Sequence, residues 1–167
     1  EYIGYWYNAS LFKQAGITDT GTPEGSVILP KTWEEFWAAC DALAEISPQT
    51  GAVPIQLQVS QMEFFLGARL AAVSENSLAF MQKETATCDR EDAEIAVSEL
   101  IRALSYDTQG GTALDIRQNF FNGESAIYID GVWANTDLVE TTTQQEIRYA
   151  AFPGRQGETI SYANPAT

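Results

Sequence analysis

Two rhythms of apolar positions, one of period two and one near 3.6, alternate along this chain. Ile3 to Tyr7 is a run of strand-favouring residues that ends at Asn8 and predicts a short strand entering a turn. Ala9 to Ala15 fits a brief helix closed by Gly16, and Thr18 to Pro30 is a polar loop punctuated by Gly and Pro. The sharpest helical pattern follows in "KTWEEFWAACDALAEI". Thr32 is placed to cap this helix and Glu35 to reach back to the cap, while Trp33, Phe36, Trp37, Cys40, Leu43 and Ala44 share one face as far as about Ile46. Trp33 and Trp37 are therefore expected in the core.

After a turn over Pro48 to Gly51, Val53 to Gln58 predicts a strand and Met62 to Val73 a second helix. Asp89 to Tyr106 predicts a third, with Ala93, Val97, Leu100, Ile101 and Leu104 on its apolar stripe. Ile116 to Asn122 is a shorter helix stopped by Gly123, and strands are expected at Ala126 to Ile129 and Ile147 to Phe152. Short strands alternating with helices predict an α/β fold in a single domain, with no internal repeat.

Charge narrows the function classes. Nine Lys and Arg stand against 23 Asp and Glu, a formal net charge of -14 that repels nucleic-acid backbones and anionic lipid headgroups alike. No apolar run approaches the roughly 20 residues of a membrane-spanning helix. The absence of histidine excludes histidine-dependent catalytic triads and removes the commonest neutral metal ligand, and no cofactor is expected. No Gly-x-Ser-x-Gly or Gly-rich phosphate loop is present. Cys40 and Cys88 are read as two free thiols or one disulfide, with the free thiols favoured by their place near helices. Both ends break off inside a pattern, "EYIGYWY" at the start and "SYANPAT" at the finish, which predicts a piece of a longer chain.

One stretch resists a plain structural reading. "FFNGESAIYIDGVW", Phe120 to Trp133, carries an alternating strand and then Asp-Gly, with a large aromatic just past the turn where a loop should be polar. Together with "YWYNASLFKQAGI", "PKTWEEFWAACDAL" and "IRYAAFPG", in that order, it resembles the extracellular solute-binding proteins of ABC importers, in particular the sugar-binding family that includes maltose-binding protein. The resemblance covers essentially the whole chain, and its weight lies in the order of four individually weak phrases.

The resemblance implies one lobe of a two-lobe, type II periplasmic-binding-protein-like fold, helices packed on a small mixed sheet. Residues 1–167 would form a partial C-terminal lobe, with the first lobe and the final helices absent. It implies capture of a mono- or oligosaccharide between lobes, delivery to an ABC permease, a monomer, and an extracellular or periplasmic setting with a lipoprotein anchor in the full-length protein. Such a setting would raise the odds of a Cys40–Cys88 disulfide. Trp133 is implied to stack on a sugar face; the competing reading makes it a core residue covering the strand end. Asp130 is a candidate hydroxyl acceptor or an Asx-turn residue, and Gly131 lets the backbone turn close to the cleft. Gln61 and Glu63 fall where the family places another cleft wall, although "QVSQMEF" lacks the aromatic and proline of maltose-binding protein there, which puts a maltodextrin ligand in doubt. Tyr162 and Asn164 fall where the family returns to the cleft. Two rivals stand beside this: a carbohydrate-active enzyme built on a carboxylate pair, and a non-enzymatic surface interaction module.

Overall fold

In the computed structural model, residues 2–19, 25–109, 113–135, 146–160 and 162–163 are described. Strand β1, Tyr2–Asn8, is the centre of the fold, and every residue after Tyr2 in it is buried. Its partners explain why. Strand β3, Ser125–Gly131, pairs antiparallel on one side, from Ile3 opposite Gly131 to Tyr7 opposite Ile127. On the other side β4, Ile147–Ala150, pairs with Tyr5 to Asn8, and the short β7, Tyr162–Ala163, pairs with Tyr2 and Ile3. Strand β2, Val53–Gln56, lies parallel to β3 at the far edge, so the sheet is mixed, in the order β2-β3-β1-β4 with β7 beside the start of β1. Gly4 permits this close pairing. A Cβ there would sit 2.3 Å from the Ala150 carbonyl oxygen and 2.7 Å from the Tyr149 hydroxyl.

Helices cover both faces. Asn8 ends β1 and caps α1, Ala9–Gln14, by accepting from the Leu11 N–H at 3.1 Å. Helix α2, Trp33–Thr50, starts at Thr32, whose hydroxyl accepts from the Glu35 N–H at 3.1 Å. The Glu35 carboxylate reaches one residue beyond the cap and accepts from the Lys31 N–H at 2.7 Å. The helix also outruns the expected end near Ile46, carrying Pro48 inside its last turn. There Ser47 and Thr50 hydroxyls donate to the Leu43 and Ile46 carbonyls, and Gly51 closes the end in the left-handed region at φ 74°.

Helix α3, Val59–Ala71, starts three residues before the expected Met62, because Gln58 and Gln61 close a reciprocal cap that shortens the preceding strand. Helix α4, Glu75–Met81, capped by Ser74, is an element that the apolar pattern did not announce. Helix α5, Arg90–Ser105, lies where expected but rotated. Its most buried residues are Asp92, Ala96 and Ala103; Leu100 and Leu104 of the predicted stripe pack against the core, while Val97 and Ile101 are exposed. The rotation is held by Glu99, which takes a two-pronged ion pair from Arg69 of α3 and accepts from Trp37 Nε1 at 2.8 Å.

Helices α1, α2, α3 and α5 surround a core containing Tyr5, Tyr7, Ile55, Ile127 and Ile129 from one face of the sheet. Trp33 and Trp37 belong to it as predicted, Trp33 stacked at 5.9 Å on Phe152 and packed edge-on to Phe65. Helix α6, Ala113–Phe121, covers the other face, where Ile116, Phe120 and Phe121 meet Trp6 and Tyr128. Tyr5 and Tyr7 are buried on one face of β1 and Trp6 on the other. A central strand covered by helices on both sides has no free face. A small hairpin of β5, Phe152–Pro153, and β6, Thr159–Ile160, completes the described residues. Both cysteines are free thiols, Cys40 fully buried and Cys88 half-buried. None of the described helices is long and apolar enough to cross a membrane.

Candidate functional site

Because β2 and β3 run parallel, their carboxyl ends open at the same end of the sheet, where an open α/β sheet presents ligands. The antiparallel β1 brings Tyr2 to that end, and the cap of α3 brings Gln58 and Val59. Tyr2, Val59, Val132 and Trp133 are exposed here at 61, 82, 41 and 37%, half of the large apolar residues exposed among the described residues. Apolar side chains left in water at the end of a well-packed sheet mark a contact surface. Two shallow pockets of about 360 and 380 Å³ lie elsewhere, one between the end of α1 and α2, the other along the outer face of α5.

Trp133 sits in a single 3₁₀ turn, Val132–Ala134, directly after β3. Its ring packs over Gly131, where a Cβ would fall 2.0 to 2.3 Å from three ring carbons, and Phe64 of α3 meets it edge-to-face at 6.5 Å. The indole is thus supported from below and partly open above. Trp133 is therefore packed on one side and 37% exposed.

Asp130 lies among phenols. Tyr128 donates to its Oδ2 at 3.0 Å and the Gly131 N–H donates to its Oδ1 at 2.7 Å. Burial pushes the Tyr128 hydroxyl well above its ordinary value, and the Asp130 charge adds to this. Tyr149 is pushed up to about 12 by burial and then by the same carboxylate. Both hydroxyls donate within the protein, Tyr128 to Asp130 and Tyr149 to the Tyr2 carbonyl, so the phenols fix the strand end, and the Asp130 carboxylate and the Trp133 face are what it presents.

The other expected site residues divide. Glu63 is exposed on α3. Gln61 is completely buried; its Oε1 accepts from the Gln58 N–H at 3.0 Å and its amide nitrogen is buried without a hydrogen-bond partner, so in this conformation it offers a ligand no surface. Tyr162 has only its backbone placed, on β7 opposite Ile3, and Asn164 lies outside the described residues. Tyr2, Phe64, Tyr128 and Tyr149 were missed. A period-two reading of β3 through Tyr128 to Asp130 puts both on one face and was the available signal for Tyr128. Nothing local marks Tyr149, whose hydroxyl reaches the Tyr2 carbonyl at 3.2 Å only through strand pairing. Among the described residues no group of three His, Cys, Asp or Glu is placed to hold a metal ion.

Known proteins share this fold. The fold is similar to a Streptococcus pneumoniae solute-binding protein in complex with the blood group A-trisaccharide, at TM-score 0.67 and 20% identity over 96% of this chain and 38% of that one. It is similar to a Bacillus licheniformis sugar transporter in complex with stachyose, at TM-score 0.69 and 13% identity over 92% and 40%. The GacH receptor of Streptomyces glaucescens, described unliganded and with acarbose, matches at TM-score 0.61 and 18% identity over 96% and 39%. At such identities the likeness establishes the fold, and the chain spans about two fifths of each of these proteins. No curated protein sequence matches it. The sequence model of the bacterial extracellular solute-binding proteins matches residues 2–166, nearly end to end, and the chain belongs to that family.

Proposed function

We propose that this chain is one lobe, the C-terminal one in part, of the substrate-binding component of an ABC importer, which captures a carbohydrate between two lobes and hands it to a membrane permease. The observation that carries the reading is Trp133, an indole 37% exposed at the carboxyl end of β3, backed by Gly131 and flanked by Asp130. A flat apolar face beside hydroxyl-pairing groups matches a pyranose, which has axial C–H groups on one side and hydroxyls around its rim. Three structural neighbours are described with saccharides or a saccharide analogue. The ligand favours closure by contacting both lobes at once, and the permease reads the closed state. No covalent step is involved. In this reading the full-length protein is a monomer held outside the cytoplasmic membrane by a lipid anchor.

The test is a thermal-shift screen of the full-length protein against mono- and oligosaccharides, with Trp133→Ala alongside. A ligand at a hundredfold its dissociation constant stabilises by about 2.7 kcal/mol. One saccharide class is expected to raise the melting temperature, and Trp133→Ala to fold normally and lose that shift. If only a non-sugar solute shifts the protein, the receptor reading survives and the carbohydrate fails. Unfolding by Trp133→Ala would return the residue to the core.

A further inference from the structure

Gly131 is held on both sides by side chains from other positions of the sheet. Its N–H is taken by Asp130 Oδ1 at 2.7 Å, and its carbonyl accepts from Trp6 Nε1, a buried bond of 3.1 Å to the central strand. Asp130 is itself fixed from behind by the Tyr128 hydroxyl on its other oxygen. Tyr128 is enclosed: it is 2% exposed and stacked on Phe120 at 5.5 Å with ring planes 22° apart. Trp6 is likewise pinned, 4.9 Å from the Tyr149 ring. On top of this frame, with no room for a Cβ between, rests the Trp133 indole.

The geometry points to Tyr128 and Trp6 as positioning residues: through Asp130 and Gly131 they clamp the strand exit so that Trp133 is presented in one orientation before any ligand arrives. This deepens the proposed function and rests on it for the identity of the ligand, but the clamp itself is a property of the free chain. Neither residue has surface to touch a solute, Trp6 being 7% exposed. Their effect is pre-organisation, which lowers the ordering cost of binding and shows mainly as slower release.

The experiment uses the full-length protein labelled with 5-fluorotryptophan, its Trp133 fluorine resonance assigned by disappearance in Trp133→Phe. Wild type is expected to give one narrow Trp133 line without ligand. Tyr128→Phe keeps the ring and removes only the hydroxyl; it should broaden or split the Trp133 line and leave those of Trp33 and Trp37 in place. Affinity for the best saccharide of the screen should fall about three- to tenfold, mostly through faster release, as expected for one net hydrogen bond. An unchanged Trp133 line overturns the clamp, and a changed line with unchanged affinity overturns its role in binding. If no saccharide binds, the carbohydrate reading fails while the fluorine spectrum still decides the clamp. Should Tyr128→Phe fail to fold, Asp130→Ala and Asp130→Asn replace it. Asparagine retains an acceptor for the Gly131 N–H and should keep the line narrow where alanine broadens it; equal spectra reject the proposal.

Discussion

Trp33 and Trp37 lie on the buried face of α2, and Trp133 stands at the exit of β3; the same residue type does opposite work in the two places. In α2 the indoles are 6 and 4% exposed and surrounded by Phe36, Phe65, Tyr106 and Phe152, with the Arg69 and Arg102 guanidinium groups lying over them at 5.2 and 4.7 Å from the ring centres. At the strand exit the indole has backing on one side and water on the other. An aromatic contributes to stability when its neighbours enclose it, and to recognition when its backbone is fixed and one face is left open.

Trp37→Ala should have the largest effect on folding, about 3–5 kcal/mol by urea denaturation, because it opens a cavity and strands Glu99 without its indole donor. Glu99→Gln comes next. It removes the charge that faces Arg69 across a pair only 10 and 22% exposed, and about 1–2 kcal/mol should be lost, after allowance for the partial exposure, in the same assay. Gly131→Ala should cost about 1 kcal/mol or less, since its φ of -82° suits any residue, yet the new methyl must displace the Trp133 ring. Saccharide affinity measured by calorimetry should then fall at least about tenfold. Trp133→Ala should leave stability within about 0.5 kcal/mol, as for a substitution outside the core, while abolishing the ligand-induced thermal shift. A stability loss as large as that of Trp37→Ala would erase the distinction.

The smallest effect is acid-linked and lies away from both regions. The Glu158 carboxylate is held below the usual glutamate value by backbone N–H donors, its own first and then those of Arg155 and Gln156, the last two at 2.8 and 2.7 Å. A lowered folded-state value means that the stabilisation is present above the ordinary glutamate range and is lost as pH falls through the folded value. The amide resonances of Arg155 and Gln156 should therefore move on acidification below that range, with little change in global unfolding.

Legibility followed the range of the forces involved. The buried stripe of α2, its Thr32 cap and its enclosing role for Trp33 and Trp37 were readable because helix periodicity and capping act over four or five residues. The rotation of α5 was not. Val97 and Ile101 fit an apolar stripe as well as Ala96 and Ala103 do, and the choice rests on an ion pair between Arg69 and Glu99, 30 positions apart. Met62 was a poor guide to the start of α3 because the reciprocal Gln58–Gln61 cap outweighs the apolar run behind it. Trp133 was recognisable as an oddity, an aromatic in a turn, and Asp130 and Gly131 as turn chemistry; what held them was hidden.

The amino-acid order by itself determined the α/β class, the places of the larger helices and the core role of the α2 tryptophans, all of which depend on near neighbours in the chain. It also made the family recognisable. Long-range packing makes β1 central and covered on both faces, encloses Gln61, and brings Trp6 to the Gly131 carbonyl 125 residues away and the Tyr128 hydroxyl to Asp130. Strand pairing brings such partners together by a register set across the whole sheet, and no window of local sequence contains it.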